Sequence, residues 1–243
     1  MRAFSLFSFL TCALLSPPAL ADTGEFQRLR VDLEGDGRAV IVSLSTSPAQ
    51  KDWRRVLTVA IPGTRYRTEY FSADGDLPSA RVVILDRARH ERQLLIETIE
   101  AGSCVYHLLA YKSKKLVSIF RFDSTMCRAP EIWGNGKFGV PYWEGFWTKI
   151  DTYRIAKAGT AAAQEIQEQF LVGVAGIAGE RLQLADAGCA SNDIAAGTLL
   201  HVAMFNSQRA AYLLRAGAGT CGWIPESEVN TITNKILELP WAG

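Results

Sequence analysis

Three carboxylates alternate along one short segment near the start of the chain: Asp32, Glu34 and Asp36. Two glycines within the segment permit a tight turn. Carboxylate oxygens that converge on such a turn are ligands for Ca²⁺, which takes roughly six to eight oxygens. Val40 occupies the position where a further acidic ligand is expected, and valine cannot coordinate a cation. The segment therefore predicts either a calcium site with three protein carboxylates or a solvated hairpin turn.

The other polar residues form no recognisable catalytic pattern. The three histidines, at positions 90, 107 and 201, have no companion at metal-ligand spacing. Cys104 and His107 are three positions apart, so a strand would place them on opposite faces. The sequence contains no G-x-S-x-G, H-E-x-x-H or phosphate-binding loop motif. We therefore expect a protein that is not an enzyme.

Aromatic side chains are concentrated in one part of the sequence. The segment 133–153 holds seven of the 24 aromatic residues. Clustered Trp and Tyr suit interfaces and the faces of sugars, because they bury a large area at low entropic cost. The alternative is that they form the core between sheets. We expect about half of them in the core and one or two exposed, with Trp143 and Trp147 as candidate ligand-binding residues.

Residues 1–21 have the three parts of a secretion signal. Arg2 supplies the positive charge, residues 3–15 are almost entirely apolar, and Ala19-Leu20-Ala21 provides a small-x-small cleavage site. The apolar run is too short to cross the ~30 Å hydrocarbon core of a bilayer. We therefore expect a periplasmic or secreted protein that begins at Asp22 and does not span the membrane.

The mature chain carries no net charge. Arg2 is the only charged residue of the signal, so its removal lowers the 26 Lys and Arg residues to 25, equal to the 25 Asp and Glu residues. Nucleic-acid binding requires a basic excess that displaces counterions. We therefore expect no nucleic-acid partner. A chain of this length can bury a core and form one large or two smaller domains.

Four cysteines follow the signal: Cys104, Cys127, Cys189 and Cys221. An even number of cysteines in an exported chain indicates disulfides. No pair has the C-x-x-C spacing of a redox or zinc site. Four cysteines allow three pairings. We predict pairing between nearest neighbours, Cys104 with Cys127 and Cys189 with Cys221, which places one bridge in each half.

Short apolar segments separated by Gly, Pro, Asp, Asn and Ser fill residues 22–155. Segments about ten residues apart predict the strands of a sandwich, barrel or propeller-like array. Turn-like segments at 32–40, 86–94 and 131–137 precede apolar strands at a period near 50 residues, as in blade-like repeats. The pattern resembles the FG-GAP/VCBS family of propeller-type repeats. This resemblance implies an antiparallel propeller-like sheet array, and a sandwich is the alternative.

The segment 156–179 predicts a short helix or a linker. It contains an Ala, Gln and Glu run at 161–169, followed by glycines that would end a helix. We place the boundary between two domains here.

Residues 180–233 carry a second resemblance. Gly197-Thr198 precedes an apolar strand, and Gly222-Trp223-Ile224-Pro225 ends another. These features resemble the bacterial SH3 family. The resemblance implies a small SH3-like barrel whose groove is lined by Trp223, with Tyr212 nearby. The alternative is that Trp223 belongs only to the core. Residues 234–243 are expected to form a tail.

Together these features predict an all-β, disulfide-linked, non-enzymatic binding protein of the bacterial cell envelope. The SH3-like module would dock to peptidoglycan or to an envelope protein. The alternative is an inhibitor or immunity protein against an envelope-degrading hydrolase, with the acidic turn Asp74-Gly75-Asp76 inserted into the enzyme cleft. No cofactor other than calcium is expected.

Overall fold

The computed structural model describes residues 24–48, 54–71, 76–100, 102–156, 159 and 161–241. Within these ranges the chain forms nineteen β-strands, two short 3-10 turns and no α-helix, which confirms the all-β prediction. The predicted secretion signal lies outside the described residues, and so does Asp74 of the acidic turn.

The described residues between 24 and 164 form three consecutive four-stranded antiparallel meanders. The first meander contains β1 (Gly24–Val31), β2 (Val40–Pro48), β3 (Arg54–Ile61) and β4 (Thr64–Phe71). The second contains β5 (Ser79–Val83), β6 (Gln93–Glu100), β7 (Ser103–Lys112) and β8 (Lys115–Ser124). The third contains β9 (Glu131–Ile132), β10 (Lys137–Trp143), β11 (Thr148–Ile155) and β12 (Ala162–Gln164). Consecutive strands pair because short turns connect them, as period-2 apolar patterning favours.

The three meanders pack against one another in chain order through two separate cores. One core joins the first and second meanders and contains Leu44, Leu57 and Leu94. The other joins the second and third meanders and contains Leu95, Tyr106 and Phe138. Successive residues of a strand point to opposite faces, so the middle meander contributes to both cores.

The loop after the first strand of each meander contacts the equivalent loop of the next one. The Arg92 N–H donates to the Leu33 carbonyl oxygen (3.1 Å), which joins the first two loops. The Arg87 N–H donates to the Gly134 carbonyl oxygen (3.0 Å), which joins the second and third. The turn-like repeat in the sequence therefore coincides with a structural repeat of three meanders.

The C-terminal part forms a five-stranded antiparallel sheet in the order β18-β17-β16-β13-β19. Its strands are β13 (Gln169–Ala178), β16 (Leu199–Asn206), β17 (Ala211–Ala216), β18 (Thr220–Pro225) and β19 (Ile236–Leu237). A two-stranded sheet of β14 (Leu182–Gln183) and β15 (Asp193–Ile194) lies between β13 and β16 in the chain. A core of their apolar side chains also includes Phe146 and Trp147 from the third meander.

Of the two alternatives for segment 156–179, the short helix is wrong. The alanine run forms β12 and pairs with β11, with Tyr153 opposite Gln164, because sheet pairing overrides the local helix propensity of Ala, Gln and Glu. Gly173 does not end an element: it has a φ of +68° and lies where the β13–β16 register shifts, between Leu171 and Val174. It therefore permits a bulge inside β13.

The predicted C-terminal tail is also wrong in part. β19 pairs with β13, with Ile236 opposite Ala178. Leu239 is buried in the C-terminal core, and Trp241 packs against that core. Burial of these apolar side chains explains why the segment is held against the sheet.

Both predicted disulfides are confirmed. Cys104 bonds to Cys127 with a Cα–Cα distance of 4.8 Å, and Cys189 bonds to Cys221 with a distance of 5.6 Å. The first bridge fastens the turn after β8 to the start of β7 in the second meander. The second fastens the loop after β14 to β18. Two disulfides are common in exported proteins, which fold in oxidising compartments.

Candidate ligand-binding cleft

A cleft of about 460 Å³ lies between the third meander and the C-terminal sheet. Its floor is aromatic and consists of Trp147, Phe170, Phe205 and Tyr212. Its rim is polar and includes four carboxylates, one lysine, two glutamines and a serine. An apolar floor with a few polar groups around it is the usual composition of a small-molecule or peptide site.

The turn between β10 and β11 builds one wall of the cleft. The Glu144 N–H donates to the Trp147 carbonyl oxygen (2.8 Å), and the Phe146 N–H donates to the Glu144 carbonyl oxygen (2.9 Å). This turn points Phe146 and Trp147 into the C-terminal core, where Trp147 is only 3% exposed. The third meander is therefore anchored to the C-terminal sheet beside the cleft.

A hydrogen bond crosses the floor. The Trp147 Nε1–H donates to the Tyr212 hydroxyl (3.3 Å), and the two rings meet edge to face at 86°. Burial raises the pKa of Tyr212 to about 12, and Glu226 and Glu144 act in the same direction. The hydroxyl therefore stays protonated at physiological pH, and its proton is available to a ligand acceptor.

Among the described residues that line the cleft, Lys149 is the only one with a positive charge. Its ammonium lies 3.4 Å from Glu144 Oε1 and 3.5 Å from Asp151 Oδ1. It also lies 5.5 Å from the centre of the Phe170 ring. The two carboxylates and the aromatic face hold the Lys149 ammonium in one position. A ligand can therefore contact this ammonium only at that position.

Segment 165–168 closes the other side and joins the two sheets. On one side the Glu165 N–H donates to the Thr152 carbonyl oxygen (2.8 Å), and on the other side the Glu168 carbonyl oxygen accepts from the Ser207 N–H (2.9 Å). Hydrogen bonds from Lys137 and Arg154 lower the pKa of the Glu165 carboxyl. The charge of this carboxylate is therefore already compensated by Lys137 and Arg154, which are not among the residues that line the cleft.

Glu226 differs from the other three carboxylates of the rim. Glu144, Asp151 and Glu165 each lie within 4.0 Å of a lysine or arginine nitrogen. Within the part of the chain that the structure describes, Glu226 forms no ion pair. It begins the 3-10 turn Glu226–Glu228 that follows β18. The Glu226 carboxylate is therefore the charged group of the rim that is available to bind a ligand.

The structure separates Trp223 from Tyr212, which were expected to share one groove: Trp223 lines a different groove of about 470 Å³ with Arg181 and Glu228, and Tyr212 lines the cleft described above. Trp223 lies opposite Leu213 in the β17–β18 ladder, and Leu213 is the neighbour of Tyr212 in the chain. Neighbouring residues of a strand point to opposite faces. Tyr212 is consequently 4% exposed on the core side, whereas half-buried Trp223 lies on the other face, with the Arg209 guanidinium 5.2 Å from its ring centre.

The two candidate tryptophans of the aromatic run separate in the structure. Trp147 enters the cleft, as described above. Trp143 lines a smaller pocket of about 220 Å³ together with Asp123 and Arg128. Its buried Nε1–H has no hydrogen-bond partner among the described residues. Tyr212 and Trp147 are thus the predicted binding residues that the fold brings together.

The predicted calcium ligands do not converge. Asp32 accepts backbone hydrogen bonds from Gly35 (2.7 Å), Asp36 (3.2 Å) and Gly37 (2.7 Å), so it closes its own turn. Glu34 is exposed. Over the described ranges, no three His, Cys, Asp or Glu side chains form a group that could hold a metal ion. The segment is the hairpin-turn alternative, stabilised by an Asp side chain.

Sequence reasoning missed Phe170, Phe205, Lys149 and Asp151. Phe170 lies in segment 156–179, which was expected to be a short helix or a linker and not part of a site. Phe205 ends the apolar alternation of β16, which was a usable signal. Lys149 and Asp151 alternate along β11, so their common face was available from the sequence once that strand was recognised.

No protein-family model matches the chain, and neither a curated protein nor a solved structure is significantly similar to it. None of the described segments is a helix of the length and apolarity needed to cross a membrane.

Proposed function

We propose that the protein is an exported, non-enzymatic binding protein of the bacterial cell envelope, and that the cleft binds peptidoglycan. The observation that carries this proposal is the cleft itself, which combines an aromatic floor with a polar rim and contains two residues expected to bind ligand, Trp147 and Tyr212. The resemblance to the bacterial SH3 family supports the envelope-binding role: β18 ends with Gly222-Trp223-Ile224-Pro225, and the turn Glu226–Glu228 and the buried Val229 follow it.

The chemistry of the cleft suits a peptidoglycan peptide with its attached sugar. Amide N–H, hydroxyl and amino groups of such a ligand are donors, and the rim offers the Glu226 carboxylate as an acceptor. The Tyr212 hydroxyl offers a donor for a ligand carbonyl. The aromatic floor supplies apolar contact for the faces of sugars and for aliphatic side chains.

Several features support a binding role in an exported protein. The two disulfides are typical of an oxidising compartment. The described residues that line the cleft include no Cys or His, and one serine among them, Ser207, donates its hydroxyl to backbone carbonyl oxygens. As far as the structure describes the cleft lining, it therefore contains no serine or cysteine nucleophile activated by a histidine. The hydrolase-inhibitor alternative gains no support, because Asp74 lies outside the described residues.

Cosedimentation of the mature protein with purified sacculi tests the binding proposal. We expect the wild-type protein to sediment and Glu226→Gln to weaken binding by about tenfold, because a charged hydrogen-bond acceptor is lost. Glu34→Gln is the matched control, since Glu34 is an exposed carboxylate of the first meander. Absence of sedimentation, or equal binding by wild type and Glu226→Gln, would contradict the proposal.

Export is tested separately by N-terminal sequencing of the protein recovered from the periplasm or medium. We expect the sequence to begin at Asp22. A product that begins at Met1 would show that the signal is not removed, and a lipid-modified Cys12 would show a lipoprotein instead.

A further inference from the structure

The first meander has an outer face that differs from the face turned to the second meander. On β3, Leu57, Val59 and Ile61 point into the shared core. The alternating residues of the same strand point outwards, and the pairing register extends this face across all four strands. Arg28 and Arg65, for example, lie on one row that passes through Ser43 and Ala60.

Arginine dominates the charge of this outer face. Its charged members are Arg28, Arg30, Arg54, Arg65 and Arg67, together with Glu25 and Glu69. Five positive and two negative charges leave an excess of three. The excess is local, because the whole chain has a formal net charge of only +1. The face is therefore a concentrated positive surface on a nearly neutral protein.

Two of these arginines are already paired. Arg28 Nε lies 2.7 Å from Glu25, and Arg54 Nη1 lies 3.3 Å from Glu69. Arg30, Arg65 and Arg67 are exposed and form no ion pair with any described residue. A guanidinium without an internal partner can bind a carboxylate through two parallel hydrogen bonds. These three side chains are consequently available to an anionic ligand.

Short side chains occupy the middle of the face. They are Ser43, Ser45 and Ser47 on β2, and Thr58 and Ala60 on β3. Two larger apolar side chains share this face, Val56 on β3 and, at the end of β2, the exposed Ile41. Four of the five arginines lie on the two edge strands, β1 and β4. Since neighbouring strands are about 4.8 Å apart, the edge strands are about 14 Å apart. The face therefore forms a shallow trough, parallel to the strands, with mostly short floor residues and arginine walls.

We propose that this trough binds a linear acidic polysaccharide. Arg65 and Arg67 are two positions apart on β4, which separates them by about 7 Å along the strand. A polymer that carries a carboxylate on successive sugars can contact both walls as it lies along the trough. The hydroxyls of the floor serines and Thr58 can bind its uncharged hydroxyl groups.

The trough fits this ligand better than two other occupants. A membrane surface is flat, whereas the charges here stand at the sides of a floor of small residues. A second copy of the same face would bring an excess of three positive charges against an equal excess, and like charges repel. The chemistry therefore favours a flexible anionic chain that enters the trough.

Binding to alginate, a polymer of carboxylate-bearing sugars, tests the proposal. The intact mature protein is titrated with alginate at low and at high salt, and dextran serves as the neutral polymer. We expect alginate binding that weakens as salt rises, because exposed charges are screened. Dextran should not bind. The variant Arg30→Gln/Arg65→Gln/Arg67→Gln should bind alginate at least about tenfold more weakly.

The matched control removes three exposed positive charges elsewhere, in Lys114→Gln/Lys115→Gln/Arg215→Gln. It should bind alginate like the wild type. Equal loss in both triple variants would contradict the proposal, since it would indicate a general charge effect. Tighter binding to anionic phospholipid vesicles than to alginate would also overturn it. Circular dichroism and melting curves should show both variants folded, because the substituted side chains are exposed.

Discussion

Acidification is expected to destabilise the protein through one side chain, His107 of β7. His107 is 1% exposed and faces the first meander. Its Nδ1 lies 3.2 Å from the Tyr66 hydroxyl of β4, and its Nε2 has no hydrogen-bond partner among the described residues. The pKa of His107 is lowered from its ordinary value of 6.5 to about 4, mainly by burial and also by Arg121, while Asp123 opposes the shift.

The size of the effect follows from these two pKa values. Between them, the unfolded chain binds a proton that the folded chain does not bind, so stability falls as the pH is lowered through this window. At pH 5 the difference corresponds to a loss of about 2 kcal/mol relative to neutral pH. The full loss below pH 4 approaches about 3 kcal/mol, since one pKa unit corresponds to about 1.4 kcal/mol.

Urea unfolding at about pH 8 and about pH 5 measures the effect. The wild type should lose about 2 kcal/mol more stability between these conditions than His107→Leu, which cannot titrate there. All other titrating groups are shared by the two proteins and cancel in the comparison. His201→Gln removes an exposed histidine of β16 and serves as the control. An equal pH dependence for the wild type and His107→Leu would refute the reasoning.

Three further predictions concern the turn, a disulfide and calcium. Gly35 has a φ of +73°, and an added Cβ would lie 2.4 Å from the His90 carbonyl oxygen, whereas Gly37 (φ +85°) has open space. Urea unfolding should therefore show Gly37→Ala to cost about 1 kcal/mol and Gly35→Ala clearly more. A similar cost at both positions would contradict the contact. Replacement of Cys104 and Cys127 by alanine should lower the unfolding free energy by about 3 kcal/mol, because the bridge closes a loop with a sequence separation of 23; an unchanged urea midpoint would count against this. Calcium at about 1 mM should change the melting temperature by at most a few degrees over chelator, because Asp32 already closes its own turn and even weak extracellular-type affinity would stabilise by at most about 1.4 kcal/mol. A shift above about ten degrees would mean that the turn binds calcium well.

Much of the fold could be predicted from local sequence patterns. The alternation in β2 and β3 and the apolar run of β7 identified strands directly, and nearest-neighbour cysteine pairing was confirmed by both disulfides. The failures have a common cause. The alanine run of β12 has helix propensity, and only its pairing with β11 makes it a strand. Such a pairing is a property of the folded chain and is absent from any local window.

The candidate site could be predicted only in part for a similar reason. Trp147 and Tyr212 are 65 positions apart, and their hydrogen bond depends on how two sheets pack. Sequence composition identified each aromatic residue as a binding candidate but could not show that they share a cleft. Trp223 was expected beside Tyr212 for a different reason. The register of β17 on β18 places Trp223 opposite Leu213 and therefore on the other face from Tyr212. A shift of one position in such a register moves every side chain to the opposite face.

The two-sided burial of the middle meander has a consequence for how the protein unfolds. The apolar interfaces of the three meanders form a linear series, in which each interface involves only adjacent units. Stability in such an array is a sum of unit and nearest-neighbour terms. Loss of the first meander would uncover one face of the second and spare the interface with the third. Loss of the second would remove both interfaces together, so cooperativity along this part of the chain depends on its central unit.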